Sequence, residues 1–255
     1  DGAELGARQA FGESVNTYYD LSQADVVLSL DADLFLDGPA AMRYARDFMQ
    51  RRTQALHGSS ASIPNRLYVA ETSPTATGSI ADHRLALDSG AIEALAMALA
   101  SRLGVTVRHA GDAPAFTDEA GWVDALADDL QAHSGSSAVI VGAHQSADLH
   151  ALAHAINHAL GNVGHTVHHT EPIDVAPTDH AASLRDLVLD MSAGQVELLL
   201  ILDSNPVYDA PGALGFAEAL AKVGYVASLA DRLDETASLA DVLAPLGHPF
   251  ECWGE

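Results

Sequence analysis

The stretch "SSAVIVGAHQSADLHALAHAINHALGN", residues 136–162, decides the fold. "SSAVIVGAH" is a short continuous apolar run of buried-strand length. "SADLHALAHAINHALGN" follows with helical apolar spacing and ends at Gly161, a residue suited to the left-handed turn past a helix. Strand, polar loop and helix in immediate succession form one α/β unit. The same alternation runs along the chain. "DVVLSLDADLFL" at 25–36 reads as a buried strand leading to a loop at Asp37-Gly38-Pro39, with Pro39 in the first turn of a helix that continues to about Arg52. "RLYVAET" at 66–72 is the next strand, and "SPTATGSIADHRLAL" a loop with an extended end. "GAIEALAMALASRLG" at 90–104 places positions 92, 95, 96, 99 and 103 on one helix face, with Gly104 at its end. Gly58–Pro64 is a small, polar loop. A helix in "DEAGWVDALADDLQAH" precedes the opening stretch. After a loop with Pro172 and Pro177 come a helix in "SLRDLVLDMSAG", a strand in "VELLLILDSNP", a helix in "ALGFAEALAKVG", a strand in "YVASLA", and a short acidic helix or turn in "DETASLADVLAP" before a terminal extended segment. Continuously apolar strands alternating with helices predict an α/β protein of two Rossmann-like lobes, with mainly parallel sheets covered on both faces. The lobes are expected at 1–175 and 176–255, the second smaller and incomplete. No repeat of solenoid period is present.

Composition removes several classes of function. The formal charge is −23, which excludes nucleic-acid binding because phosphate needs cationic partners. Lys222 is the sole lysine and aspartates outnumber glutamates about two to one, the surface expected of a protein adapted to strong salt. No run of about 18 apolar residues occurs, so no membrane span is expected; "VELLLIL" at 196–202 has the length of a buried strand. Cys252 is the single cysteine. It cannot form an internal disulfide, hold an iron–sulfur cluster or build a cysteine-rich zinc site, and is expected to be buried. With Asp1 opening directly into "GAELGARQAF", the chain is expected to be a piece of a longer polypeptide.

Seven of the thirteen histidines fall between 144 and 169. His150, His154 and His158 are spaced by four, and each step turns only about 40° around a helix, so they form one stripe. Its ends are about 12 Å apart at a rise of 1.5 Å per residue, too far for one metal with bonds of about 2 Å. No HExxH and no nearby cysteine completes a pair. The stripe reads as a polar face bordering an Ala/Leu face, with His165, His168 and His169 in the loop beyond. No G-x-S-x-G, Walker or GxGxxG motif is present, so neither a hydrolytic nor a phosphate site is supported by motif. Four loops at strand carboxyl ends remain: "DADLFLDGP" at 31–39, "ETSPTATG" at 71–78, "GAHQSA" at 142–147 and "LDSNPVYDAP" at 202–211. Ligands of open α/β sheets bind at such ends.

These segments also carry a resemblance. "ADVVLSLDADLFLDGPAAMRYARDF", "NRLYVAETSPTATGSIADHRLAL", "VGAHQSADLHALAHAINHALGNVGHTV", "LLLILDSNPVYDAPGALGFAEALAK" and "DETASLADVLAPLGHPFECWGE" are similar, in order, to the molybdopterin oxidoreductase (DMSO reductase) superfamily. The branch they most resemble is the large iron–sulfur, molybdopterin-like subunit of alternative complex III, a respiratory quinol-oxidising membrane complex. The resemblance implies two lobes whose strand-end loops face paired pterin guanine dinucleotides with molybdenum between them. Asp31, Asp33, Glu71, Thr72, His144, Gln145, Ser204, Asn205 and Pro206 occupy those cofactor-facing loops. Two positions depart from the pattern: Asp203 stands where catalytic members usually have glycine, and Ser73 where an arginine is often found. An acidic side chain beside an anionic dinucleotide is unfavourable. The molybdenum ligand would lie upstream of Asp1, and the cluster cysteines elsewhere in the full subunit. The resemblance therefore implies a cofactor-less scaffold, itself without catalytic or metal-ligating residues. Its partners would be other subunits of a membrane-bound respiratory complex, on the periplasmic face. The alternative is part of the bis-pterin cleft of an active molybdenum oxidoreductase. A stand-alone hydrolase or metal-binding protein is the third reading, resting on His and Asp abundance alone.

Overall fold

The computed structural model describes residues 2–57, 64–106, 116–117, 121–172, 178–248 and 250–251. Cys252 and parts of the loops at 58–64 and 172–177 lie outside the described residues. The chain divides into two compact units, Asp1–Pro177 and Thr178–Glu255.

Unit 1 opens with α1 (Gly2–Phe11) and β1 (Asn16–Tyr19), neither of which the apolar pattern announces. Then follow β2 (Val26–Leu30), α2 (Ala41–His57), β3 (Arg66–Glu71), a single turn α3 (Ala76–Ser79) and β4 (His83–Ala86). The unit closes with α4 (Ser89–Arg102), α5 (Trp122–Ala132), β5 (Ser137–Val141), α6 (Ala147–Ala159) and β6 (Val167–Thr170). The main sheet is fully parallel in the order β4-β3-β2-β5. The chain runs outward from β2 through β3 to β4, then returns to the other side of β2 as β5. That reversal puts the topological switch point between β2 and β5. Period-two alternation splits the strand side chains between two cores. Val26, Leu28 and Leu30 pack with Leu95, Leu99, Leu126, Leu130, Leu149 and Ile156 of α4, α5 and α6. Val27, Leu67, Val69 and Ile140 pack with Phe48 of α2 on the opposite face. Each such apolar side chain, removed from water, contributes about 1.5–3 kcal/mol.

Local chemistry sets the helix ends. Ser146 Oγ accepts from Leu149 N–H at 3.2 Å to cap α6, and Gly161 follows it at φ 66°. Gly104 at φ 73° closes α4 in the same way. Three expectations need correction. The strand expected over 25–36 ends at Leu30, because Asp31 adopts φ 52° and turns the chain out of the sheet. The following helix starts at Ala41, so Pro39 precedes it. His168 and His169 are on β6, which pairs antiparallel with β1, with Tyr18 stacked on His168 at 4.9 Å.

Unit 2 holds α7 (His180–Ser192), β7 (Leu198–Leu202), α8 (Pro206–Asp209), α9 (Phe216–Leu220), β8 (Tyr225–Ala230) and β9 (Val242–Pro245). The helix expected over "ALGFAEALAKVG" is broken: a 3-10 turn at Gly212–Leu214 meets α9 at Gly215, whose φ is 62°. The sheet is parallel in the order β7-β8-β9. One face packs through Ile201 and Val226 on Val188, Met191, Phe216 and Leu220. The other is exposed, so "VELLLIL" is not the fully buried strand its composition suggests: Leu198, Leu200 and Leu202 face outward.

Unit 2 repeats part of unit 1, hydrogen bond for hydrogen bond. Asp31 N–H donates to Ala70 C=O at 2.7 Å, and Asp203 N–H to Leu229 C=O at 2.8 Å. Both aspartates are left-handed, at φ 52° and 47°. Asp82 accepts from Leu67 N–H, and Asp241 from Val226 N–H, each at 2.8 Å. Strands β7, β8 and β9 thus stand for β2, β3 and β4, joined by a shorter first connection.

Candidate functional site at the strand ends

The carboxyl ends of β2, β3 and β5 bring Asp31, Asp33, Glu71, Thr72, His144 and Gln145 together. Asp31 is the hub and is 7% exposed. Its Oδ1 accepts from Thr72 N–H at 2.9 Å and from the Thr72 hydroxyl at 3.1 Å. Its Oδ2 accepts from His144 Nε2 at 3.0 Å and Gln145 Nε2 at 2.8 Å. Burial raises the Asp31 pKa, but the donors of Thr72 and His144 outweigh it and hold the carboxyl below its ordinary value. Gly142 is required at this point, because a Cβ there would fall 2.0 Å from the Asp31 carbonyl oxygen.

Asp33 works on the neighbouring loop. Its carboxylate accepts from Ala76 N–H at 3.2 Å, Thr77 N–H at 3.0 Å and the Thr77 hydroxyl at 2.7 Å. Thr77 Oγ1 in turn accepts from Phe35 N–H at 3.3 Å. Glu71 turns inward and is fully buried. It accepts from the Thr75 hydroxyl at 2.6 Å and pairs with Arg84. Gly78 leaves room for it, since a Cβ at that residue would lie 2.0 Å from Glu71 Oε1. Sequence reading missed Thr75, Thr77, Gly78 and Arg84. The Thr-x-Thr-Gly run was the available signal, since such residues cap short turns.

A crevice of about 460 Å³ opens here, lined by Asp31, Asp33, Asp37, Tyr44, Gly142 and His144 among others. It sits at the β2/β5 switch point, where open parallel sheets place ligands. No lysine or arginine is among its described lining residues.

Ser204, Asn205 and Pro206 lie at the corresponding end of unit 2. Asn205 Oδ1 accepts from Thr236 N–H at 3.2 Å and the Thr236 hydroxyl at 2.7 Å, and Thr236 Oγ1 accepts from Val207 N–H at 3.0 Å. This is the Asp33–Thr77–Phe35 arrangement with carboxamide for carboxylate. Asn205 Nδ2 also donates to Glu235 at 2.7 Å. Pro206 opens α8. A crevice of about 400 Å³ here is bounded by Asp203, Asp209, Asp231, Asp234 and Glu235, and its Arg232 is held by Asp231. The exposed Asp203 makes no side-chain bond in this network; Ser73 at the end of β3 is exposed.

The histidine stripe is not a polar helix face. His150 is 8% exposed and lies under α1, where a Cβ on Gly6 would come within 2.5 Å of its own Cβ. His154 meets Phe11 of α1 edge-on at 4.9 Å. Only His158 of the three is exposed. No group of three or more His, Cys, Asp or Glu among the described residues could hold a metal ion. No helix among them is long and apolar enough to cross a membrane.

No family model matches the sequence, and no curated protein matches it. Among solved structures the chain is similar in fold to acetylene hydratase from Pelobacter acetylenicus, with a TM-score of 0.63 at 14% identity. The match covers 94% of this chain and 43% of that protein, so the chain spans less than half the length of that neighbour.

Proposed function

We propose that this chain is part of a molybdopterin oxidoreductase-like, iron–sulfur-binding subunit of a respiratory quinol-oxidising electron-transfer complex, and that this part is a scaffold with no pterin cofactor of its own. The strand-end motifs support the superfamily, and so does the fold likeness to acetylene hydratase. One observation carries the scaffold reading. The loops that would cradle an anionic dinucleotide spend their donors on their own carboxylates: Thr72 and Gln145 on Asp31, Ala76 and Thr77 on Asp33. A pyrophosphate would meet Asp31, Asp33 and Asp37 in one crevice, and five further acids in the other. Like charges at such range repel unless a cation intervenes. The residues present do not fit that cofactor. Iron–sulfur clusters would sit elsewhere in the subunit, and partner subunits would hold it at the periplasmic face of the membrane.

A second reading, part of the bis-pterin cleft of an active molybdenum oxidoreductase, has one observation in its favour. The strand-end clamp occurs twice, once per unit, as a pair of dinucleotides would require. The two readings separate on the native full-length subunit, assayed for molybdenum and tungsten and for pterin fluorescence after acid oxidation. Absence of metal and pterin with iron–sulfur clusters intact is the expected result. Near-stoichiometric metal and pterin would establish the second reading instead.

A further inference from the structure

A groove of about 460 Å³ lies in unit 1 among α1, α4 and α6. Its volume is that of a small-molecule site. Helical spacing sets Asp148, Ala151, Leu152 and Ala155 of α6 along one wall. Glu93 and Met97 of α4 stand one turn apart on another, and Phe11 of α1 lies edge-on to His154 at 4.9 Å. Both α4 and α6 follow strands of one parallel sheet, so they run the same way and start at the same end. Glu93 and Asp148, near those starts, therefore share one end of the groove, with Phe11 toward the other. From Asp148 to Ala155 the wall is about 10 Å long at 1.5 Å per residue.

The charge in this groove is unbalanced. Elsewhere in unit 1 enclosed carboxylates have partners: Asp47, Glu71 and Asp129 each pair with an arginine. Glu93 is half-buried against apolar side chains and makes no ion pair among the described residues, nor does Asp148. No lysine or arginine is among the described lining residues. His154 adds no charge at neutral pH, because burial, the larger cause, lowers its pKa to about 4. A half-buried carboxylate without a counter-charge is unfavourable, and a cation that reaches it is held there. Carboxylate oxygens accept hydrogen bonds, so a cation bearing N–H fits better than a quaternary one. The rest of the groove is apolar and suits a hydrocarbon body, which the polarizable Met97 side chain can follow. We propose that this groove binds a primary ammonium on an aromatic or alkyl body, its N–H groups on Glu93 and Asp148 and its apolar end on Met97, Leu152, Ala155 and Phe11. The site depends neither on the strand-end crevices nor on the scaffold reading.

The probes are 2-phenylethylammonium, its neutral counterpart 2-phenylethanol and the anion 3-phenylpropanoate, each titrated into the 255-residue chain. The methyl resonance of Met97 reads the groove, whereas Met42, Met49 and Met191 do not line it. The ammonium should shift Met97 alone, saturably, with a Kd of about 1 mM or tighter. The alcohol should bind at least about tenfold more weakly, and the anion not at all. The variant E93Q/D148N should weaken the ammonium at least about tenfold and leave the alcohol unchanged. A155L keeps both carboxylates and fills the groove with apolar atoms, so it should abolish the binding of both. Equal binding of ammonium and alcohol would overturn the proposal, as would undiminished affinity in E93Q/D148N. So would equal shifts at all four methyls, since the cation would then be adsorbed generally on a chain of charge −23. A Met97 shift that follows protein concentration without any probe would overturn it too, because a second copy would then fill the groove.

Discussion

Asp33 and Asn205 hold the same place in the two units, each accepting through Oδ1 from both the N–H and the hydroxyl of a threonine, Thr77 or Thr236. The clamp needs only one acceptor oxygen, so carboxylate and carboxamide serve equally for that pair. Their second atoms differ. Asp33 Oδ2 accepts from Ala76 N–H, while Asn205 Nδ2 donates to Glu235. Exchange should therefore hurt in both directions. Asp33→Asn turns an amide donor toward the Ala76 N–H, and Asn205→Asp turns a carboxylate toward Glu235. Asp33→Asn should cost about 1 kcal/mol in urea unfolding, and Asn205→Asp should lower the urea midpoint. The Asn205→Asp loss should shrink in high salt, because its cause is repulsion at an exposed site. Equal losses at low and high salt would contradict the assignment.

Glu71 makes a stricter demand. Its carboxylate is fully buried, with Arg84 as its counter-charge and the Thr75 hydroxyl as its remaining donor. Arg84→Gln should destabilise unit 1 by about 2 kcal/mol, less than for a fully buried pair because Arg84 is partly solvated. Gly78→Ala should be worse than its small size suggests, since the new methyl meets Glu71 Oε1. Glu71→Gln should rescue part of the Arg84→Gln loss, because no unpaired charge is then left inside. Chemical denaturation of the two single variants and the double variant measures this, and strict additivity would refute the pairing.

Much of this was legible in the sequence, and the rest was not for identifiable reasons. The parallel strands show as apolar runs because β2, β3 and β5 are buried on both faces. The strand-end residues Asp31, Thr72, His144 and Gln145 follow from that reading once the loops after strands are singled out. The α1 helix and the β1–β6 pair escaped notice because their burial comes from each other's partners and not from an apolar run. Gly2 and Gly6 let α1 approach α6 closely, so His150 and His154, read as part of a polar face, belong to its packing surface, while His158 stays exposed. The bare face of β7 could not be read at all, since three leucines spell the same word whether covered or exposed. Residue identity reveals the repeat only in part: Asp33 against Asn205 and Val26 against Leu198 share a place in the fold and not a letter.

Thirty-five acidic residues against twelve lysines and arginines give a chain that repels itself in dilute solution. Many of the arginines are already committed to aspartates, as Arg66 is to Asp129 and Arg52 to Asp82. Salt that screens the remaining repulsion should stabilise the fold. Circular dichroism should show structure lost near zero salt and regained toward molar salt. Unchanged ellipticity across that range would remove the halophilic reading.

His150 and His154 predict a second dependence, on pH. Burial, the larger cause in each, lowers both imidazoles from 6.5 to about 4. His150 Nε2 has no hydrogen-bond partner, so the neutral ring is the form the fold accommodates. In the unfolded chain both titrate at their ordinary value. Between pH 6.5 and about 4 the unfolded state therefore binds more protons than the folded one, and stability falls as pH drops through that window. Above 6.5 the two groups contribute no slope. After allowance for partial solvent access the loss should be on the order of 2 kcal/mol for the pair. Asp31 and Asp129, whose pKa values are lowered, add their own loss only at lower pH, where they are forced to protonate. The variant H150L/H154L separates the two contributions. Urea midpoints measured from pH 7 to 4 should fall for the native chain and fall clearly less for the variant, which keeps His169, also lowered by burial, with a common decline below about 4. A native chain whose midpoint does not change between 6.5 and 4 would show that α1 does not keep these rings from water.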